Sequence, residues 1–101
     1  MKIPTHRAPT PIGEILVEEF LKPLALSQSA FARHLGCPQP KLNEIIQGKR
    51  GITPKTAMTF ADALGTTPEF WLNAQLATDL WQAQHHHKKV PLLPQLKKIN
   101  A

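Results

Sequence analysis

The chain has 101 residues, 42% of them hydrophobic, with 12 basic and 7 acidic side chains for a net charge of +5. That is one domain's worth of sequence, enough for a single core, and the longest apolar runs fall far short of the ~20 residues of a membrane span. A lone cysteine, Cys37, excludes a disulfide framework or a cysteine zinc site. The opening Met1-Lys2-Ile3-Pro4-Thr5-His6-Arg7 lacks the apolar stretch of a secretion signal, so a reducing cytoplasm is expected.

Residues 1–9, with two prolines and two bases, read as an irregular arm. A domain over 10–84 and a basic, proline-containing tail over 85–101 follow. Thr10-Pro11, Thr53-Pro54 and Thr67-Pro68 each set a capping hydroxyl before a proline at the first helical position, where its missing N–H costs nothing. Ser27 supplies a fourth cap. Apolar residues then recur at helical spacing in five stripes: Ile12, Ile15, Leu16, Phe20; Phe31, Ala32, Leu35; Leu42, Ile45, Ile46; Ala57, Phe60, Ala61, Leu64; and Leu72, Leu76, Leu80. Gly36, Gly48 and Gly65 stand where a left-handed residue ends a helix. Five short helices, an all-α architecture, are expected. Beyond residue 88, Pro91 and Pro94 predict an extended tail.

The positive charge lies in two blocks. One is Arg33, Lys41, Lys49 and Arg50 against Glu44 alone; the other is the tail, with Lys88, Lys89, Lys97 and Lys98 and no acid. Solvated faces and a polyanionic partner both accommodate this pattern. The middle block coincides with two short helices, Ser27 to Leu35 and Gln39 to Gln47, joined by Gly36-Cys37-Pro38. That is the layout of a helix-turn-helix, whose second helix enters the DNA major groove. Leu42, Ile45 and Ile46 anchor this helix, leaving Gln39, Lys41, Asn43, Glu44 and Gln47 facing out. Amide and basic side chains read base edges, with Gln or Asn bidentate to adenine and Lys to guanine. Lys49 and Arg50 follow the helix, where cations reach phosphates.

From Pro11 to Leu80 the chain resembles the HigA antitoxins, also labelled virulence-associated protein I, of the XRE-type, lambda-repressor-like regulators. Gly13-Glu14-Ile15-Leu16, Leu26-Ser27-Gln28, Asn43-Glu44-Ile45, Gly48-Lys49-Arg50 and Thr67-Pro68-Glu69-Phe70-Trp71-Leu72 stand in the family's order and spacing. The resemblance implies a five-helix, lambda-repressor-like domain in a homodimer that binds double-stranded operator DNA. It also implies repression of the protein's own operon and neutralisation of a HigB-type, RelE-like mRNA endonuclease toxin. Gln28 matches the phosphate-touching start of the positioning helix. Gln39, Lys41 and Asn43 match base-reading positions, Gln47 the end of the reading helix, and Lys49 and Arg50 the backbone clamp. Pro40 departs from the family's small polar residue; it cannot donate to DNA, and it disfavours the helical conformation at Gln39. A free-standing XRE-type regulator without a toxin is the alternative, and a module binding RNA or the toxin instead of DNA is a third reading.

Other groups carry blander readings. His85-His86-His87 point in different directions with no acid or cysteine beside them, so no metal or other cofactor is expected. Cys37 reads as packing in the turn, with a redox switch as the alternative. Glu14, Glu18 and Glu19 suit the start of the first helix; they have no nucleophile or histidine partner, and no enzyme is expected. Phe70 and Trp71 are read as capping the core, while Trp71, Leu80 and above all Trp81 are the candidate dimer interface, because the last helix has more apolar surface than one stripe needs. For the basic tail, a solvated end and a contact with DNA or toxin stay open.

Overall fold

The computed structural model describes residues 8–99, with side chains as far as residue 96. Arm residues 1–7, the Lys97 and Lys98 side chains and residues 100–101 lie outside that description. The order is α1 (Ile12–Ile15), continued by a π-helical segment (Leu16–Leu21), then α2 (Gln28–Leu35), α3 (Gln39–Ile46), α4 (Pro54–Leu64), α5 (Pro68–His86) and α6 (Pro94–Ile99). Among the described residues there is no strand. No described helix is long and apolar enough to cross a membrane.

Three of the four expected caps form. Ser27 Oγ accepts from Ala30 N at 3.1 Å, Thr53 Oγ1 from Thr56 N at 3.3 Å and Thr67 Oγ1 from Phe70 N at 3.2 Å. Thr10 does not cap: the first helix starts one residue later, with Pro11 at its N-cap and no side-chain hydrogen bond. Gly36 and Gly65 end α2 and α4 at φ +68° and +70°, the left-handed values that glycine reaches without cost. The π-helical widening has a visible cause. Pro23 has no N–H, and in α register its ring would strike the Glu19 carbonyl four residues back. Widening the turn, with Lys22 N donating to Val17 O at 2.9 Å, relieves that collision.

The core is built from the first four stripes as expected. Leu16, Leu42 and Ala57 are wholly buried, and Phe31, Phe60 and Ile45 nearly so. Phe31 and Phe60 pack as tilted rings with centroids 5.6 Å apart, and Phe60 meets Trp71 edge-on at 5.2 Å. Gly13 is buried where α1 crosses the end of α3, and a Cβ there would lie 2.6 Å from the Ile46 carbonyl carbon.

The fifth stripe is different. Leu76 and Leu80 are 49% and 41% exposed, whereas Trp71 is 0% exposed and Ala77 is buried. Successive helical residues are rotated by about 100°, so seating the large Trp71 inward leaves Leu72 half-buried at the edge of the core and turns Leu76 and Leu80 away. Trp71 also donates its indole N–H to Thr66 Oγ1 at 2.7 Å. It is therefore a core residue and cannot be an interface anchor. The tail differs too: α5 runs to His86, and a further helix begins at Pro94. Proline ends one helix, but at a first position it starts another.

Candidate nucleic-acid interface

Helices α2 and α3 are held at a fixed angle by a short turn. Cys37 N donates to Ala32 O at 3.0 Å, closing α2 around Gly36, and Ala32, 2% exposed, lets the two helices approach. The Cys37 side chain packs partly buried against the core, with its Sγ 3.4 Å from Pro38 O. Helix α3 starts without a side-chain cap, between Pro38 and Pro40. Lys41 N returns to Pro38 O at 3.1 Å. Gln39 therefore carries the one free N–H at this helix start, which limits its use as an anion site.

Burial sets the face that α3 presents. Leu42 and Ile45 are buried; on the opposite side Pro40, Glu44 and Gln47, spaced four and three residues apart, form the outermost line, with Pro40 and Gln47 exposed and Glu44 half exposed. Gln39 is exposed on one flank and Lys41 is half-buried on the other. Asn43 is the exception among the expected readers. Its Oδ1 is enclosed and has no hydrogen-bond donor among the described residues, so only its –NH2 end remains for a base. Bidentate pairing with adenine uses both ends of the amide, so Asn43 makes that contact only by turning its side chain out of this position.

Past α3 the chain turns through Gly48, at φ +76°, and exposes Lys49 and Arg50. Lys49 N and Arg50 N both donate to Glu44 O, at 2.8 and 3.2 Å, and Arg50 Nη2 donates to Glu44 Oε1 at 3.2 Å. The turn is fastened from α5, where Gln75 Oε1 accepts from Ile52 N at 2.9 Å and Gln75 Nε2 donates to Asp79 Oδ1 at 2.8 Å. Neither tie was visible in the sequence: Glu44 and Arg50 are six apart across a helix end, and Gln75 lies twenty-three residues from its partner. Gln28 opens α2 half-buried, just after its Ser27 cap, where first-turn N–H groups suit a phosphate. The expected residues thus stand on α2, α3 and the turn after α3, with Gln39, Gln47, Lys49 and Arg50 exposed and Gln28, Lys41 and Asn43 half-buried.

Elsewhere, Trp81 is half-buried against its own chain, its ring 4.0 Å from that of His85 and its Nε1 enclosed without a partner among the described residues. Leu80, with Leu76, lies on the open face of α5. Among the described residues no three His, Cys, Asp or Glu side chains converge as a metal site.

A short capped helix, a glycine turn and a second helix with an outward polar face followed by two cations define a helix-turn-helix protein of the DNA-binding class. Residues 17–71 match the helix-turn-helix family model. Antitoxin HigA-1 of Vibrio cholerae is 39% identical over 85 residues, spanning 84% of this chain and 80% of its own. The structure of antitoxin GraA superposes with a TM-score of 0.81 at 40% identity, over 86% of this chain and 99% of that one. Pseudomonas aeruginosa antitoxin HigA with the higBA promoter gives 0.75 at 35% identity, over 84% and 99%. The chain belongs to the XRE-type helix-turn-helix family, in the branch of the HigA antitoxins and virulence-associated protein I.

Proposed function

We propose that this chain is a cytoplasmic antitoxin that binds its own operator as a homodimer, represses its operon and neutralises a RelE-like mRNA endonuclease of the HigB type. The observation that carries the DNA half is a short capped helix joined by a glycine turn to α3, whose outward side is polar and is followed by the exposed Lys49 and Arg50. A helix-turn-helix enters the groove by that face, its cations setting register on phosphates and its amides and lysine reading bases. Lys41, Gln39 and Gln47 are the base readers, and Gln28, Lys49 and Arg50 the phosphate contacts. The related antitoxins HigA, solved with the higBA promoter, and GraA, solved with its operator, support the same reading.

One such unit reads only a half-site, so useful specificity requires a two-fold dimer with its reading helices ~34 Å apart. The open leucines of α5, Leu76 and Leu80, stand on a helix other than those that carry the DNA face and leave that face clear, while Leu72 packs partly against the core. The open pair carries the dimer reading with Trp81 at its edge. The test is co-expression with the adjoining gene. Growth arrest by that gene, relieved by this chain, is the expected result. A harmless neighbour beside intact operator repression would establish instead the free-standing regulator, in line with a 43% identical relative from Haemophilus influenzae described as an HTH-type transcriptional regulator.

A further inference from the structure

Glu44 is a carboxylate in the middle of a surface otherwise suited to a polyanion. It stands on the outermost line of α3, four residues after Pro40 and three before Gln47, with 43% of its side chain exposed. Pro40 has no donor with which to offset it. Its partner, Arg50, is 3.2 Å away and 48% exposed, and the Glu44 carbonyl also accepts both N–H groups of the turn that carries Arg50. The free protein therefore holds one of its two clamp cations on the reading face, against a carboxylate that must itself enter the groove.

We propose that Glu44 is a specificity-determining residue: it retains Arg50 on unmatched DNA and releases it to a phosphate only where a base offers an exocyclic amino group, that of cytosine foremost. The inference rests on the DNA-binding reading above. In the major groove cytosine N4 donates, and guanine O6 and N7 and thymine O4 accept. Against an amino group the carboxylate gains a hydrogen bond that replaces Arg50. Against the acceptors it has no partner but Arg50, which then cannot neutralise a phosphate. Two consequences follow on unmatched DNA, a lost cation contact and a repelled carboxylate. On the matched site neither applies.

The experiment uses the full chain and a duplex that the wild-type protein itself selects from a randomised pool, with a scrambled duplex beside it. Glu44→Gln keeps the shape and removes the charge, and an exposed ion pair contributes too little for its loss to unfold the domain. Glu44→Gln should bind the scrambled duplex about tenfold tighter and the selected one no tighter, cutting discrimination at least about tenfold. Its salt slope should steepen by about 0.9 on scrambled DNA and stay unchanged on the selected site, because only the former gains the Arg50 contact. Arg50→Ala should then weaken scrambled binding in the Glu44→Gln background and barely in the wild type. Sites re-selected by Glu44→Gln should lose a cytosine preference. A variant that discriminates like the wild type, or that tightens both duplexes equally with parallel slopes, overturns the proposal and leaves the DNA reading standing. A wild-type protein that selects no sequence overturns both.

Discussion

Gly13→Ala probes the contact that seats the reading helix. The added methyl would lie 2.6 Å from the carbonyl carbon of Ile46 and 2.8 Å from its Cα, and would meet the Ile46 oxygen closer still. Carbon atoms in contact prefer ~3.5–4.0 Å, so the backbones of α1 and α3 must part by about 1 Å. Neither side has a rotamer with which to yield. Overpacking of this kind costs ~1–3 kcal/mol and occasionally more, against a helix-propensity gain for alanine of at most about 1 kcal/mol. A backbone contact this short puts the cost at the upper end of that range, so net destabilisation of ~2 kcal/mol is expected. In urea, with m of ~1–3 kcal/mol/M, the midpoint should fall by about 1 M. Operator affinity should fall alongside, because the end of α3 carries the Gly48–Arg50 turn. Urea unfolding followed by circular dichroism, with DNA titration of the folded variant, checks both. Unchanged or increased stability with unchanged affinity would refute the close approach. Gly36→Ala is the control: nothing lies within 4 Å of its Cβ position, but its φ of +68° is strained for alanine, so it should cost ~1–2 kcal/mol.

Other outcomes follow from the same geometry. Trp71→Ala should cost ~3–5 kcal/mol and unfold much of the population, as expected of a fully buried indole. Leu76→Ser, on the open face of α5, should change the monomer's stability by no more than ~0.5 kcal/mol while lowering the dimer fraction in sedimentation; a variant that unfolds instead would place Leu76 in the core. Gln75→Ala strips Ile52 N of its acceptor, at ~1–3 kcal/mol, and should speed amide exchange at Ile52 and weaken binding to all DNA alike. Ser27→Ala should cost ~1 kcal/mol through the lost α2 cap, read from thermal unfolding.

Helices α2, α3 and α4, with the turns between them, were legible because each fact about them is local. A hydroxyl three residues before an N–H, a glycine after the last apolar residue and a four-residue apolar rhythm fix a helix and its inward side together. Helix α5 broke that logic because both of its faces are apolar. The leucines at 72, 76 and 80 make the cleaner repeat, yet the core had room for one indole, and Trp71, edge-on to Phe60 and Phe70 and tilted against Phe20, filled it. Gly13 looked like any glycine in a helix, since the carbonyl it accommodates lies thirty-three residues away in the sequence. In α3 the sequence marked the helix and its buried side but not the disposition of its outward side chains. Asn43 sits on the flank where its oxygen is enclosed, and the Glu44–Arg50 pair spans the end of a helix, where no fixed residue spacing marks a contact. The helix at Pro94 was hidden by reading proline only as a stop.

The central claim is that the surface formed by α2, α3 and the Lys49–Arg50 turn reads DNA sequence. Its most direct test is a titration of the purified protein against the duplex upstream of its own gene and against a scrambled duplex, at two salt concentrations. A dimer bound to the natural duplex at least ~10³-fold more tightly than to the scrambled one is the predicted result. Equal affinity for the two duplexes at both salt concentrations would contradict it.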